Sequence, residues 1–183
     1  VTFIGQSTRR VEDERFLTGR GLFVEDVNLP GQFFAHVVRS PHAHAEILGI
    51  DTSGVTDASV FTHADIADLG LLPCATAVAT VAPMLVPPRP ALASGRVRHI
   101  GDPVAFVVAS TAAAARDAAE HVVVDYRTLD PVVDAALALA TGAPLLWDEV
   151  PGNLSFRFRK GDPGAVQAAM RRAAHVVELD LIN

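Results

Sequence analysis

Apolar residues along the chain fall into short runs, and the spacing inside each run predicts a different element. Residues 104–109 (V-A-F-V-V-A) are continuously apolar, as suits a strand buried on both faces. Ser110 or Thr111 then caps an alanine-rich helix ending near His121, whose small side chains let its axis lie close to a sheet. Residues 122–126 return as a strand. Strand, helix, strand in this order predicts a right-handed crossover joining a locally parallel pair. Upstream, residues 32–39 carry Phe33, Phe34, Val37 and Val38 and predict a strand. A loop around Pro41 spans 40–44, a second strand 46–50, and a short third strand centres on Val60 and Phe61. Asp51, Thr52 and Ser53 suit the cap of a helical turn through Val55 and Ala58, and Thr62 caps a turn holding Ala64, Ile66 and Leu69. Four prolines between 83 and 90 make that stretch an extended connector.

The two ends read differently. Gly5, Gly19, Gly21, Pro30 and Gly31 punctuate the first thirty residues, and charges of both signs alternate from Arg9 to Arg15. Such an arm buries little by itself and is expected to lie across another surface. Towards the other end, 134–141 predicts a helix stopped by Gly142, and Pro151–Gly152 marks a boundary. Residues 153–160 alternate with period two, Leu154, Phe156 and Phe158 against Ser155, Arg157 and Arg159, which predicts an amphipathic strand. A helix through Val166, Met170 and Ala173 follows, and residues 176–183 predict a last apolar strand in need of a partner. The fold class expected is α+β or α/β, a sheet with packed helices. No internal repeat or low-complexity segment interrupts it.

At 183 residues, 50% hydrophobic and 20% charged, the chain is long enough to bury a core without metals or disulfides. A net charge of −6 argues against nucleic-acid partners or anionic membranes. The first ten residues lack the apolar core of a signal peptide, and no apolar stretch is long enough for a membrane span. Cys74 is the single cysteine, so a disulfide framework or a cysteine-built cluster within the chain is ruled out, and a cytoplasmic setting is expected.

Candidate chemistry is sparse. Gly19, Gly21 and Val24 give G-x-G-x-x-V, one residue short of a dinucleotide fingerprint and without the flanking strand and helix that would bring phosphate to a helix N-terminus. His42 and His44, with His36 nearby, could share a metal from an extended loop, though hydrogen bonds tying that loop to its strand explain them more simply. Asp148 with Glu149, and Glu178 with Asp180, are carboxylate pairs of the kind general acid–base chemistry uses, but equally ordinary on a solvated face. Arg157, Arg159 and Lys160 read as the polar face of a strand. Cys74 has no nearby histidine, Ser40 lacks a G-x-S-x-G context, and Asp102 between Gly101 and Pro103 reads as a turn residue.

Four strings then resemble one family. They are 10–19 (R-V-E-D-E-R-F-L-T-G), 38–45 (V-R-S-P-H-A-H-A), 97–105 (V-R-H-I-G-D-P-V-A), and Gly152-Asn153-Leu154 leading to Lys160-Gly161-Asp162. In this order and spacing they are similar to the large subunits of molybdenum hydroxylases, the family of xanthine dehydrogenase, aldehyde oxidase and carbon monoxide dehydrogenase, with the carbon monoxide dehydrogenase-like bacterial branch most alike. Glu14 stands where that pattern has proline. The resemblance implies an N-terminal arm at 1–18, an α/β hammerhead domain at 19–143, and the beginning of the first molybdopterin-binding domain at 144–183. It implies an oxidoreductase that hydroxylates or oxidises a small molecule with water-derived oxygen. The full enzyme's cofactors would be a molybdopterin cytosine dinucleotide-type molybdenum centre, with 2Fe-2S clusters and FAD on partner subunits or domains. It places the catalytic and pterin-binding residues downstream of Asn183, so that no catalytic, cofactor or metal residue falls in this chain and the isolated segment binds no molybdenum. A free-standing α/β binding module is the alternative from a different class. A small hydrolase built on the carboxylate pairs is a third, testable by mutating Asp148 or Glu178.

Overall fold

A computed structural model describes residues 4–75 and 82–181. The core is built from six strands and one packed helix. Strands β1 (Phe34–Arg39), β2 (Ala45–Asp51), β3 (Ser59–Thr62), β4 (Arg96–Val97), β5 (Pro103–Ala109) and β6 (Val123–Thr128) form two three-stranded sheets, ordered β1-β5-β3 and β4-β2-β6. Helices α1 (Asp13–Leu17), α2 (Ala112–Glu120) and α3 (Pro163–Arg172) complete the regular structure, with short 3-10 turns between.

The apolar run at 104–109 is the central strand its pattern predicts. β1 and β3 both pair with it antiparallel, with Val37 and Phe61 each opposite Phe106. One face of β5 meets α2: Ala105 and Val107 pack with Ala118, Ala119 and Val122. From the other face Val104 joins Ala45 and Val97 of the second sheet and Ala93 of the loop before β4. Ile50 and Val124 touch both clusters and so join the two sheets. Thr111 caps α2 by accepting a hydrogen bond from the Ala114 N–H at 3.1 Å.

The parallel pair expected from strand–helix–strand order does not form. Both edges of β5 are already occupied by β1 and β3, so α2 delivers β6 to the other sheet. There β6 takes the free edge of β2, antiparallel, with Ala45 opposite Thr128 and Asp51 opposite Val123. The signal was present in β6 itself. Val124 and Tyr126 are half-buried while Asp125 and Arg127 alternate with them towards solvent, the mark of a strand with one wet face rather than of a buried parallel strand.

Three further expectations are corrected. The helix predicted for 134–141 shrinks to a 3-10 turn at Leu137–Leu139, because the Asp134 side chain accepts from the Ala136 and Leu137 N–H groups and holds a turn instead. The strand expected at 153–160 does not form; Asn153 closes a 3-10 turn, and beyond it Ser155 is tied to Leu85 through both its hydroxyl and its carbonyl. Of the strand expected at 176–183, residues 176–181 are also without strand pairing, and 182–183 lie outside the described residues. Alternation makes a strand only where an edge is offered, and no edge among the described residues reaches either segment. The α3 expectation holds, opened by Asp162, whose side chain accepts from the Ala165 N–H at 3.0 Å.

Candidate functional site

Two of the four strings meet in space. The 40–44 loop leaves β1 and the 99–102 turn enters β5. Their backbones are bonded to each other: Ser40 N–H donates to the Asp102 carbonyl at 2.9 Å, and Gly101 N–H to the Ser40 carbonyl at 2.8 Å. The Arg39 guanidinium donates to the Gly101 carbonyl at 2.9 Å, and Gly101 sits at φ 84°, where a Cβ would be strained. Ser40 is 2% exposed. Its hydroxyl accepts from the His42 N–H at 3.0 Å and donates to the His42 carbonyl at 2.9 Å, so it serves a turn.

The histidines are likewise used as braces. His42 sets its ring edge-on to Tyr126 at 4.9 Å. His44 is 5% exposed, and its Nδ1 lies 2.9 Å from the Asp130 carbonyl. A carbonyl only accepts, so Nδ1 carries the proton, and Nε2 is buried without a hydrogen-bond partner. Burial raises the Tyr126 pKa, with a smaller push from the Asp102 charge, and the Tyr126 hydroxyl is buried without a hydrogen-bond partner. His36 lies on β1 opposite Val107. Among the described residues no three His, Cys, Asp or Glu side chains gather as metal ligands.

A second polar knot lies beside this lock. Asp102, more than a turn residue, accepts from the Arg98 N–H at 2.9 Å and faces His99 Nε2 at 3.5 Å. The Arg98 guanidinium lies 3.6 Å from the centre of the Trp147 ring, with Nε donating to the Leu146 carbonyl at 2.7 Å and Nη1 to the Arg96 carbonyl at 3.1 Å. Arg96 reaches Asp148 at 3.4 Å. These contacts fasten the segment after Pro144 onto β4. Asn153 secures the same segment from behind: its side chain accepts from the Leu146 N–H at 3.0 Å and donates to the Ala138 and Pro144 carbonyls at 3.0 and 2.9 Å.

The remaining candidates disperse. Gly19 and Gly21 lead into a 3-10 turn at Val24–Asp26 rather than a helix, and a Cβ on Gly21 would stand 2.8 Å from the Phe16 ring, which fills the space a phosphate would need. Asp148 is engaged by Arg96, while Glu149, Glu178, Asp180, Arg157, Arg159 and Lys160 are exposed, as is Cys74. Glu14 pairs with Arg20 at 3.2 Å and accepts the Thr18 hydroxyl at its carbonyl, closing the short α1 turn. Sequence reasoning overlooked Arg98 and Trp147. The available signal was the chain's sole tryptophan, beside carboxylates and downstream of a basic strand.

The chain is thus an α+β module of two small antiparallel sheets, locked by loop-to-loop hydrogen bonds and braced by polar side chains. Residues 18–130 match the aldehyde oxidase and xanthine dehydrogenase a/b hammerhead domain, and the chain belongs to that family. It is 40% identical over 180 residues to the nicotine 6-hydroxylase large subunit of Paenarthrobacter nicotinovorans, covering 95% of this chain and 21% of the relative. Among solved structures it resembles quinoline 2-oxidoreductase from Pseudomonas putida 86, with a TM-score of 0.64, 39% identity, and coverage of 76% of this chain and 18% of that one. It also resembles the Cu,Mo-CO dehydrogenase in its carbon monoxide reduced state, with a TM-score of 0.68, 35% identity, and coverage of 93% and 23%. The chain thus spans about a fifth of the length of the relatives it matches. No helix among the described residues is long and apolar enough to cross a membrane.

Proposed function

We propose that this chain is the N-terminal scaffold of a molybdenum hydroxylase large subunit, in a cytoplasmic oxidoreductase that hydroxylates or oxidises a small molecule. The observation that carries the reading is the hammerhead match over 18–130, joined to 40% identity across nearly the whole chain. Residues 1–18 act as an arm, 19–143 as the hammerhead domain, and 144–183 as the start of a molybdopterin-binding domain. The molybdenum centre, when bound elsewhere in the subunit, supplies transfer of water-derived oxygen to the substrate. The cofactor set we propose for the full enzyme is a molybdopterin cytosine dinucleotide form, with 2Fe-2S clusters and FAD on partner subunits or domains, as the family resemblance implies.

The residues here do not suit that group. A Cβ on Gly21 would already meet the Phe16 ring, so the arm leaves little room for a phosphate at that glycine. We assign no catalytic, cofactor-binding or metal role to any residue of this chain, as the family resemblance implies, and no reaction step is routed through it. Its part is architectural: β4, the 99–102 turn and Asn153 set where the segment after Pro144 departs, and so where later domains stand. The test is the coding sequence beyond Asn183. Several hundred further residues with glycine-rich loops are expected; a stop codon there favours the free-standing module.

A further inference from the structure

The cleft between the proline-rich connector, β4, the 99–102 turn and Trp147 encloses about 470 Å³, a size typical of small-ligand sites. Arg89, Arg96 and Arg98 all line it, with His99, Asp102 and Trp147. Three guanidinium groups converging on one cleft stand out in a chain of net charge −6. Their charge is only partly answered. Arg96 pairs with Asp148. Arg98 donates to two neutral carbonyls and stacks on Trp147, while neither it nor Arg89 forms an ion pair within 4 Å among the described residues. Burial first, then the neighbouring Arg96 charge, pull the Arg98 pKa down against the attraction of Asp102, Glu149 and Asp148. A half-buried cation in that position gains from an incoming anion.

We propose that this cleft binds a small organic carboxylate carried on a flat apolar body. Among the charged side chains that line the cleft, Arg89, Arg96 and Arg98 stand against Asp102 alone, with Asp148 and Glu149 outside the lining, so the wall an entering ligand meets is positive and suits an anion. The guanidinium fork of Arg89 and the unused donors of Arg98 suit the two oxygens of a carboxylate, and Leu72, Pro90 and Pro103 offer apolar walls to the body. The inference is independent of the family reaction, since it concerns only residues of this chain.

Isothermal titration calorimetry of the intact subunit with benzoate, and separately with inorganic phosphate, tests it. Benzoate binding is expected to saturate, to weaken roughly tenfold in Arg89→Gln, as loss of a charge-assisted hydrogen bond predicts, and to exceed phosphate binding. Arg89 is exposed, so its substitution leaves the core intact. Leu72→Glu, a second exposed position on the wall, is expected to weaken benzoate by like-charge repulsion. Absence of saturable benzoate binding, affinity indifferent to both substitutions, or phosphate bound as tightly as benzoate would each overturn the proposal.

Discussion

Three backbone groups converge on the Asn153 amide, and the residue stands at φ 55° to receive them. Asparagine tolerates that left-handed conformation better than other residues with a Cβ, and its side chain offers both donor and acceptor. Asn153→Ala is expected to cost about 2–3 kcal/mol in chemical denaturation, from lost hydrogen bonds and added backbone strain; a change within about 0.5 kcal/mol would contradict this role. Arg98→Lys keeps the charge but loses the planar contact with the indole, at about 1 kcal/mol. Emission from Trp147 should move to longer wavelength as the ring gains water. At this scale the sequence was legible in part. Pro151–Gly152 announced a boundary and Gly101-Asp102-Pro103 a turn, but Asn153 read as the start of a strand; its partners lie up to fifteen residues away, and no local pattern names them.

Among the elements, α2 shows most directly how a local signal becomes packing. Thr111 caps it, and Ala115, Ala118 and Ala119 form its buried face, small enough to bring the axis close to β5. Thr111→Ala is expected to lower stability by about 1 kcal/mol, read as a shift in the denaturation midpoint with unchanged slope. The 3-10 turn His63–Leu69 has an acidic brace instead: Asp65 accepts from the Thr62 N–H at 2.7 Å, which holds its pKa below the ordinary carboxylate value. A depressed folded-state pKa means this contribution is present above the unfolded value and is lost as pH falls through the folded one. An NMR titration should therefore place the Asp65 carboxyl midpoint below that of an unstructured aspartate. Elements with an internal signal (β1, β2, β3, β5, α2, α3) were legible from pattern, boundaries shifting by a residue or two. Pairing was not, because the order of strands depends on which edges are free. The strands expected at 153–160 and 176–183 failed, over their described residues, for the same reason.

For the molecule as a whole, burial is concentrated between Ser40 and Val150. Outside that span apolar side chains face solvent: Val11 is 97% exposed, Val177 92% and Leu181 82%. So many apolar side chains left to solvent fit a scaffold meant to be covered by further domains. The 1–183 segment alone is expected to bind 8-anilinonaphthalene-1-sulfonate and to self-associate as its concentration rises, and the intact subunit to do neither to the same degree. The most direct test of the scaffold assignment is the molybdenum content of the two forms purified in parallel. About one molybdenum per intact subunit and none above background on residues 1–183 is the predicted result; stoichiometric molybdenum on the segment would contradict it.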